Sequence, residues 1–196
     1  MKHGVFWKNP GYKKTKSLSK NIECDYLIVG GGVLGVSLAY FLAKDKAKNI
    51  VLIEKDQIAS GATGKAAGAI TIRGELDLAD MVNHHGIERG LYFWKASKEG
   101  LKLMKEIVKK EKIDCDFEEQ DTIYGGLNKE NHKFILEEYA LEKELEKDTQ
   151  LLSELLSAEK MDFYIKTDLF KYAILSKKHG ISVNPLKYTQ NLSKVV

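Results

Sequence analysis

Apolar and polar positions in residues 25–54 follow a pattern typical of one strand, one helix and a second strand. Asp25–Val29 is a short apolar run that ends at glycines, which predicts a buried parallel strand. Apolar residues recur at helical spacing in Val33–Ala43, which predicts a helix. Its predicted inner face consists of Leu34, Leu38, Phe41 and Leu42. Ile50–Ile53 is a second apolar run, so the three elements predict a right-handed βαβ unit.

The rest of the chain is predicted to mix helices with short strands. A strand over Ala69–Ile72 precedes a long helix, or two joined helices, over Asp80–Lys112. Later predicted elements are strands at Cys115–Phe117, Thr122–Leu127 and Tyr172–Ser176, helices at Lys129–Asp148 and Ser157–Met161, a turn at Lys178–Gly180, and a final helix opened by Asn184-Pro185. In the helix at Lys129–Asp148 the predicted inner residues are Phe134, Leu141 and Leu145. Its acidic face is expected to be exposed to solvent.

Three glycines, Gly30, Gly32 and Gly35, have the G-x-G-x-x-G spacing of a dinucleotide-binding turn. Such a turn lets backbone N–H groups and a helix N-terminus bind a pyrophosphate. Glu54 ends the second strand, and its carboxylate can accept hydrogen bonds from ribose hydroxyls. The same carboxylate would repel a 2′-phosphate, which disfavours an NADP-type cofactor. These residues leave NAD and FAD as alternatives.

A run of small residues, SGATGKAAG at Ser60–Gly68, follows the second strand. Such a run leaves room for a large flat ligand, and its hydroxyl and N–H groups can reach phosphate oxygens. An NAD-binding fold would usually continue here with another helix and parallel strand. The run therefore favours FAD.

The combination of YLIVGGGVLG, VLIEK and SGATGKAAG resembles the FAD-dependent oxidoreductases of the D-amino-acid oxidase (DAO) family. That family includes glycine and sarcosine oxidases and γ-glutamylputrescine oxidase, and Phe6-Trp7 and Ile113–Phe117 look most like the last branch. The resemblance implies an α/β fold: a Rossmann-like FAD-binding βαβ domain with an inserted α+β substrate-domain portion, as in glutathione-reductase-like proteins. It also implies oxidation of the C–N bond of a small-molecule amine or amino acid by hydride transfer to FAD.

The resemblance further implies which residues bind the cofactor. These are Gly30, Gly32, Val33, Gly35, Glu54, Lys55, Ser60, Thr63, Gly64, Lys65 and Ala67. Lys65 stands where an arginine is common, and it is compatible with stabilising reduced flavin or with pairing to phosphate or solvent. Arg73 is compatible with a bidentate grip on a substrate carboxylate, although a surface ion pair is favoured. No catalytic residue is predicted.

The implied domain organisation has four parts. Residues 1–21 form an N-terminal arm, 22–112 the first part of the FAD-binding domain, 113–183 a portion of the substrate domain, and 184–196 a return segment to the FAD-binding domain. The chain ends inside a predicted continuing helix or the approach to a strand, and members of the resembled family are considerably longer. We therefore expect an incomplete or split enzyme, with a complementary C-terminal chain as one candidate partner. The alternatives are an NAD-binding Rossmann dehydrogenase or sensor, and an inactive fragment that acts as a binding module.

Composition narrows the partners and the compartment. The net charge is +3 and the only arginines are Arg73 and Arg89, which disfavours nucleic-acid binding. Cys24 and Cys115 lie far apart without metal-ligand spacing, so we expect no metal site and two reduced thiols in a cytoplasmic protein. Tyr26–Ala43 carries no charge, but its three consecutive glycines favour a strand, turn and helix over a membrane span.

Overall fold

The computed structural model describes residues 6–74, 76–127, 129–145, 153–167 and 169–196. In chain order its elements are β1 (Tyr26–Val29), α1 (Val33–Lys44), β2 (Ile50–Ile53), a 3₁₀ helix (Thr63–Lys65), β3 (Ala69–Thr71), α2 (Leu78–His85), α3 (Ile87–Lys110), β4 (Glu118–Gly125), α4 (Lys129–Leu145), β5 (Ser153–Ser157), α5 (Ala158–Met161), β6 (Tyr172–Ser182) and α6 (Pro185–Leu192). The described residues group into two compact units. Unit 1 takes those in Met1–Gly68, Glu106–Phe117 and Val183–Val196, and unit 2 those in Ala69–Lys105 and Glu118–Ser182.

The boundaries of these two units differ from those of the expected domains. Residues 69–105 group with unit 2, although the sequence placed them in the first part of an FAD-binding domain. Residues 106–117 group with unit 1, together with the final helix α6. Assigning the cofactor to one unit and the substrate to the other stays a prediction.

Unit 1 contains the expected βαβ order. β1 and β2 are parallel, with Tyr26 opposite Ile50 and Val29 opposite Ile53. The predicted bounds of β1, α1 and β2 agree with the structure to within one residue at each end. Two short apolar runs and the helical spacing between them were therefore enough to locate these elements.

The inner face of α1 differs from the predicted one. Its buried residues are Val36, Ala39 and Tyr40, whereas the exposed fractions of Leu34 and Leu38 are 82% and 48%. The prediction for those leucines was wrong because a glycine sets the rotation of the helix. A Cβ placed on Gly35 would lie 2.0 Å from the carbonyl oxygen of Gly30, so the bare side of α1 packs on the turn.

Unit 2 is built on an antiparallel sheet centred on β6. β4 pairs along most of β6, while β3 and β5 pair with its two ends. A buried cluster of Leu156, Met161, Ala173 and Leu175 packs against Ile123 and Phe170. Gly86, with a φ of +83°, separates α2 from α3, so the predicted pair of joined helices is present.

The predicted turn at Lys178–Gly180 was wrong, since β6 continues through it to Ser182. The pairing of β4 with β6 is, however, irregular there. The register with β4 shifts between Gln120 and Thr122, and the Asp121 carboxylate accepts a hydrogen bond from the Lys178 N–H. Lys178 takes a φ of +57° at this irregularity.

Two further strand predictions need correction. Cys115–Phe117 is no strand; its Cys115 carbonyl accepts a hydrogen bond from the Asn184 N–H at 2.8 Å, within unit 1. The strand predicted at Thr122–Leu127 begins earlier, as β4 at Glu118. β5 was not predicted, and residues 146–148 of the predicted charged helix lie outside the described residues.

No helix among the described residues is long and apolar enough to cross a membrane. The uncharged stretch Tyr26–Ala43 is divided between β1, the glycine turn and α1.

Candidate cofactor site

The glycine turn of unit 1 links the end of β1 to the start of α1. Gly30 has a φ of +107°, which residues other than glycine rarely adopt. Its N–H donates to the Ile53 carbonyl at 2.8 Å. Gly32 is the N-cap of α1, so no side chain of that residue covers the helix end. The first turn of α1 contains no acidic residue. No acidic side chain of α1 itself therefore opposes the positive end of the helix dipole, which suits a bound phosphate.

Gly31 is a further glycine that this turn requires and that the spacing argument missed. A Cβ at this position would lie 2.4 Å from the Ile58 side chain and 3.0 Å from the Glu54 Cβ. The G-x-G-x-x-G pattern leaves this position unspecified. The sequence did contain a signal for Gly31: three consecutive glycines stand at 30–32, where the pattern requires only the first and third.

The carboxylate of Glu54 is held beside this turn by two backbone donors. The Asp56 N–H donates to Oε1 at 3.0 Å, and the Gly31 N–H donates to Oε2 at 2.8 Å. These hydrogen bonds, that of Asp56 first, hold the pKa of Glu54 below its ordinary value. An ionised carboxylate only accepts, and it has about four lone-pair positions. Positions therefore remain for ribose hydroxyls.

The small-residue segment folds back toward the start of α1. The Val33 N–H, first in the helix, donates to the Thr63 hydroxyl at 3.1 Å. The Ala59 N–H donates to the Gly31 carbonyl at 2.8 Å. A Cβ on Gly64 would lie 2.2 Å from the Ala59 carbonyl oxygen, so this bend also requires a glycine.

Contacts thus bring together part of the set implied by the resemblance. Gly30, Gly32, Val33, Gly35, Glu54 and Thr63 lie at one turn. Gly64 is buried in the adjoining bend, while Lys55, Ser60, Lys65 and Ala67 are exposed on the same stretch of chain. A helix end without acidic residues, a glycine turn and an ionised acceptor fit the pyrophosphate and ribose of FAD. The individual cofactor-binding assignments stay predictions.

Arg73 forms a buried ion pair in place of the surface ion pair that the sequence favoured. It lies in unit 2, with a side chain 10% exposed, and donates to Glu138 at 2.7 Å and to Glu142. The guanidinium also lies over the Tyr124 ring, 4.7 Å from its centroid. The expected surface ion pair was wrong, because both acidic partners come from a buried face of α4.

A family model described as FAD dependent oxidoreductase (DAO) matches residues 25–196. The chain belongs to this family. Membership confirms the resemblance drawn from the sequence. It also decides the choice of cofactor that the glycine motif left open, in favour of FAD.

The γ-glutamylputrescine oxidoreductase of Escherichia coli (strain K12) is 28% identical over 175 residues, which cover 89% of this chain and 40% of that protein. An L-amino acid deaminase structure from Proteus vulgaris matches with a TM-score of 0.73 at 17% identity, covering 94% of this chain and 45% of that one. Glycine oxidase from Bacillus cereus ATCC 14579 matches with a TM-score of 0.63 at 22% identity, covering 88% and 43%. The structural likenesses confirm the α/β fold. The chain spans less than half the length of each of these relatives.

Proposed function

We propose that this chain supplies the pyrophosphate- and ribose-binding part of an FAD-dependent oxidoreductase that oxidises the C–N bond of a small amine or amino acid. One observation carries the proposal. The Glu54 carboxylate is held beside the glycine turn by the N–H groups of Gly31 and Asp56, at the end of a helix with no acidic first turn. Membership of the FAD-dependent oxidoreductase family supports it.

Each protein group acts in this proposal by binding and orientation. Backbone N–H groups at the start of α1 donate to the pyrophosphate, other than those of Gly31 and Val33, which already donate to Glu54 and Thr63. Glu54 accepts hydrogen bonds from the ribose hydroxyls. Ser60, Thr63 and Lys65 offer hydroxyl and ammonium donors along the following segment. When bound, the flavin supplies the acceptor for a hydride from the carbon next to the substrate nitrogen.

The names of the relatives support a substrate class. Their names describe an oxidoreductase of γ-glutamylputrescine, a deaminase of L-amino acids and an oxidase of glycine. We propose that the substrate of this protein is a small molecule of the same chemical kind, an amine or amino acid.

Cys24 and Cys115 are both free thiols, which supports a cytoplasmic location.

One uncovered face of β1 on unit 1 supports a polypeptide partner. Leu27 and Val29 flank the buried Ile28, and their exposed fractions are 57% and 76%. Parallel sheets are normally covered on both faces, and a two-stranded sheet is marginal alone. We infer that further polypeptide covers this surface in the working enzyme, and we propose that a complementary chain supplies it.

Reductive titration without oxygen tests the proposed reaction. The protein is isolated with FAD bound, in the form in which its cell produces it. It is then mixed with single amines, amino acids or 2-hydroxy acids while the visible absorbance of the flavin is followed. We expect at least one amine or amino acid to bleach the flavin. Bleaching by hydroxy acids alone would assign a different reaction to the same cofactor site.

A further inference from the structure

The N-terminal arm contacts the small-residue segment of the candidate cofactor site through Trp7. The indole N–H of Trp7 donates to the Ala66 carbonyl at 2.7 Å. The indole ring also lies against Gly68, where a Cβ would be 2.8 Å from a ring carbon. Gly68 has a φ of +84°. The neighbouring Phe6, in contrast, is 82% exposed and meets Trp7 edge-on. Trp7 is thus the residue of this pair that packs on the segment.

A second contact of the arm reaches Ile58, two residues before the same segment. The Asn9 amide donates to the side-chain oxygen of Gln190, at 3.0 Å, and the Gln190 amide donates to the Ile58 carbonyl, also at 3.0 Å. Gln190 is 3% exposed. The arm therefore reaches Ala66 directly and Ile58 through one buried glutamine.

The contact at Ala66 determines where the next N–H points. In a trans peptide the carbonyl of one residue and the N–H of the next point in opposite directions across a rigid plane. With the Ala66 carbonyl turned toward Trp7, the Ala67 N–H is turned away from the arm. Within the described ranges this N–H donates to no protein group. Ala67 is one of the residues implied to bind the cofactor.

We infer that Trp7 is a positioning residue for the cofactor: it fixes the Ala66–Ala67 peptide so that the Ala67 N–H is presented as a donor to FAD. The inference rests on the proposed function, because it assigns FAD to this segment. The arm is then part of the cofactor site, since it determines the orientation of a donor that the cofactor uses. The sequence had suggested only that the arm lies over the surface.

Trp7→Phe tests this inference because it keeps an aromatic ring against Gly68 and removes only the donor. Lys8→Ala is the matched control, an exposed neighbour on the same arm. Two quantities are measured on each full chain: amide hydrogen exchange in residues 60–68 without FAD, and the Kd for FAD. We expect Trp7→Phe to speed exchange in residues 60–68 and to raise the Kd about fivefold, as expected for one lost hydrogen bond. Lys8→Ala should change neither.

The outcomes separate this inference from the proposed function. Unchanged exchange and an unchanged Kd in Trp7→Phe would overturn the role of Trp7 and leave FAD binding intact. Faster exchange in β1 and β2 as well as in residues 60–68 would also overturn it, because that result indicates general destabilisation. If the unaltered protein binds no FAD, the proposed function fails and the assignment to Trp7 fails with it, whatever the exchange data show.

Discussion

The guanidinium of Arg73 lies 2.7 Å from the carboxylate of Glu138, a residue with no solvent-exposed surface. The same carboxylate accepts hydrogen bonds from the N–H groups of Leu78 and Ala79, the first two residues of α2. One acidic side chain of α4 therefore binds both the segment after β3 and the start of α2. This network therefore stabilises unit 2.

Removing the Arg73 side chain should strongly destabilise unit 2. Arg73→Ala leaves Glu138 buried without its cation, and breaking a buried ion pair in this way costs about 3–5 kcal/mol. Arg89 is the only other arginine and is exposed, so Arg89→Ala is the matched control and should cost less than about 0.5 kcal/mol. Denaturant unfolding measures both. Equal stabilities of the two variants would contradict the structural role of Arg73.

His179 should make unit 2 less stable in mild acid. Burial, and then the charges of Lys98, Lys105 and Arg73, lower the pKa of His179 to about 4 from 6.5. The unfolded chain then binds more protons between these values, so stability falls as pH drops from about 6.5 to about 4. We expect a loss on the order of 2–3 kcal/mol across this range.

Comparing His179→Asn with His84→Gln tests whether His179 causes this pH dependence of stability. His84 is exposed and serves as the control. Unfolding free energies are measured at several pH values for both variants and the unaltered protein. His179→Asn should flatten the dependence and His84→Gln should not. If both variants keep the full dependence, another group causes it.

Gly35→Ala should disrupt the turn between β1 and α1. The new Cβ would lie 2.0 Å from a backbone oxygen of Gly30, which cannot rotate away as a side chain can. We expect a loss of about 2–3 kcal/mol in unfolding free energy, as for overpacking. Gly61→Ala has open space around its Cβ and is the control. A Gly35→Ala protein as stable as Gly61→Ala would show that α1 packs less closely on the turn.

The sequence predicted unit 1 better than unit 2, for physical reasons. The strands β1 and β2 are apolar runs bounded by glycine or charge, and their local sequence is sufficient to identify them. Glu54 could be selected because it is the acidic residue at the tip of a strand. The position of such elements depends on near neighbours in the chain.

The failures involved partners far away in sequence. Glu138 and Glu142 were assigned to an exposed face because nothing local shows that Arg73, 65 residues before Glu138, reaches them. The rotation of α1 likewise depends on a backbone contact of Gly35 that apolar periodicity does not report. The contact of Trp7 with Ala66, 59 residues apart, was missed for the same reason.

Equilibrium titration of the purified chain with FAD tests the central claim most directly. Because the chain supplies only part of the site, we predict weak but saturable binding, with NADH failing to compete. Glu54→Gln should weaken it about tenfold, because it replaces a charged acceptor of hydrogen bonds by a neutral one. Asp56→Asn removes an equal charge two residues away and should leave the Kd unchanged. Absence of FAD binding, or equal Kd values for the two variants, would contradict the account of the Glu54 site.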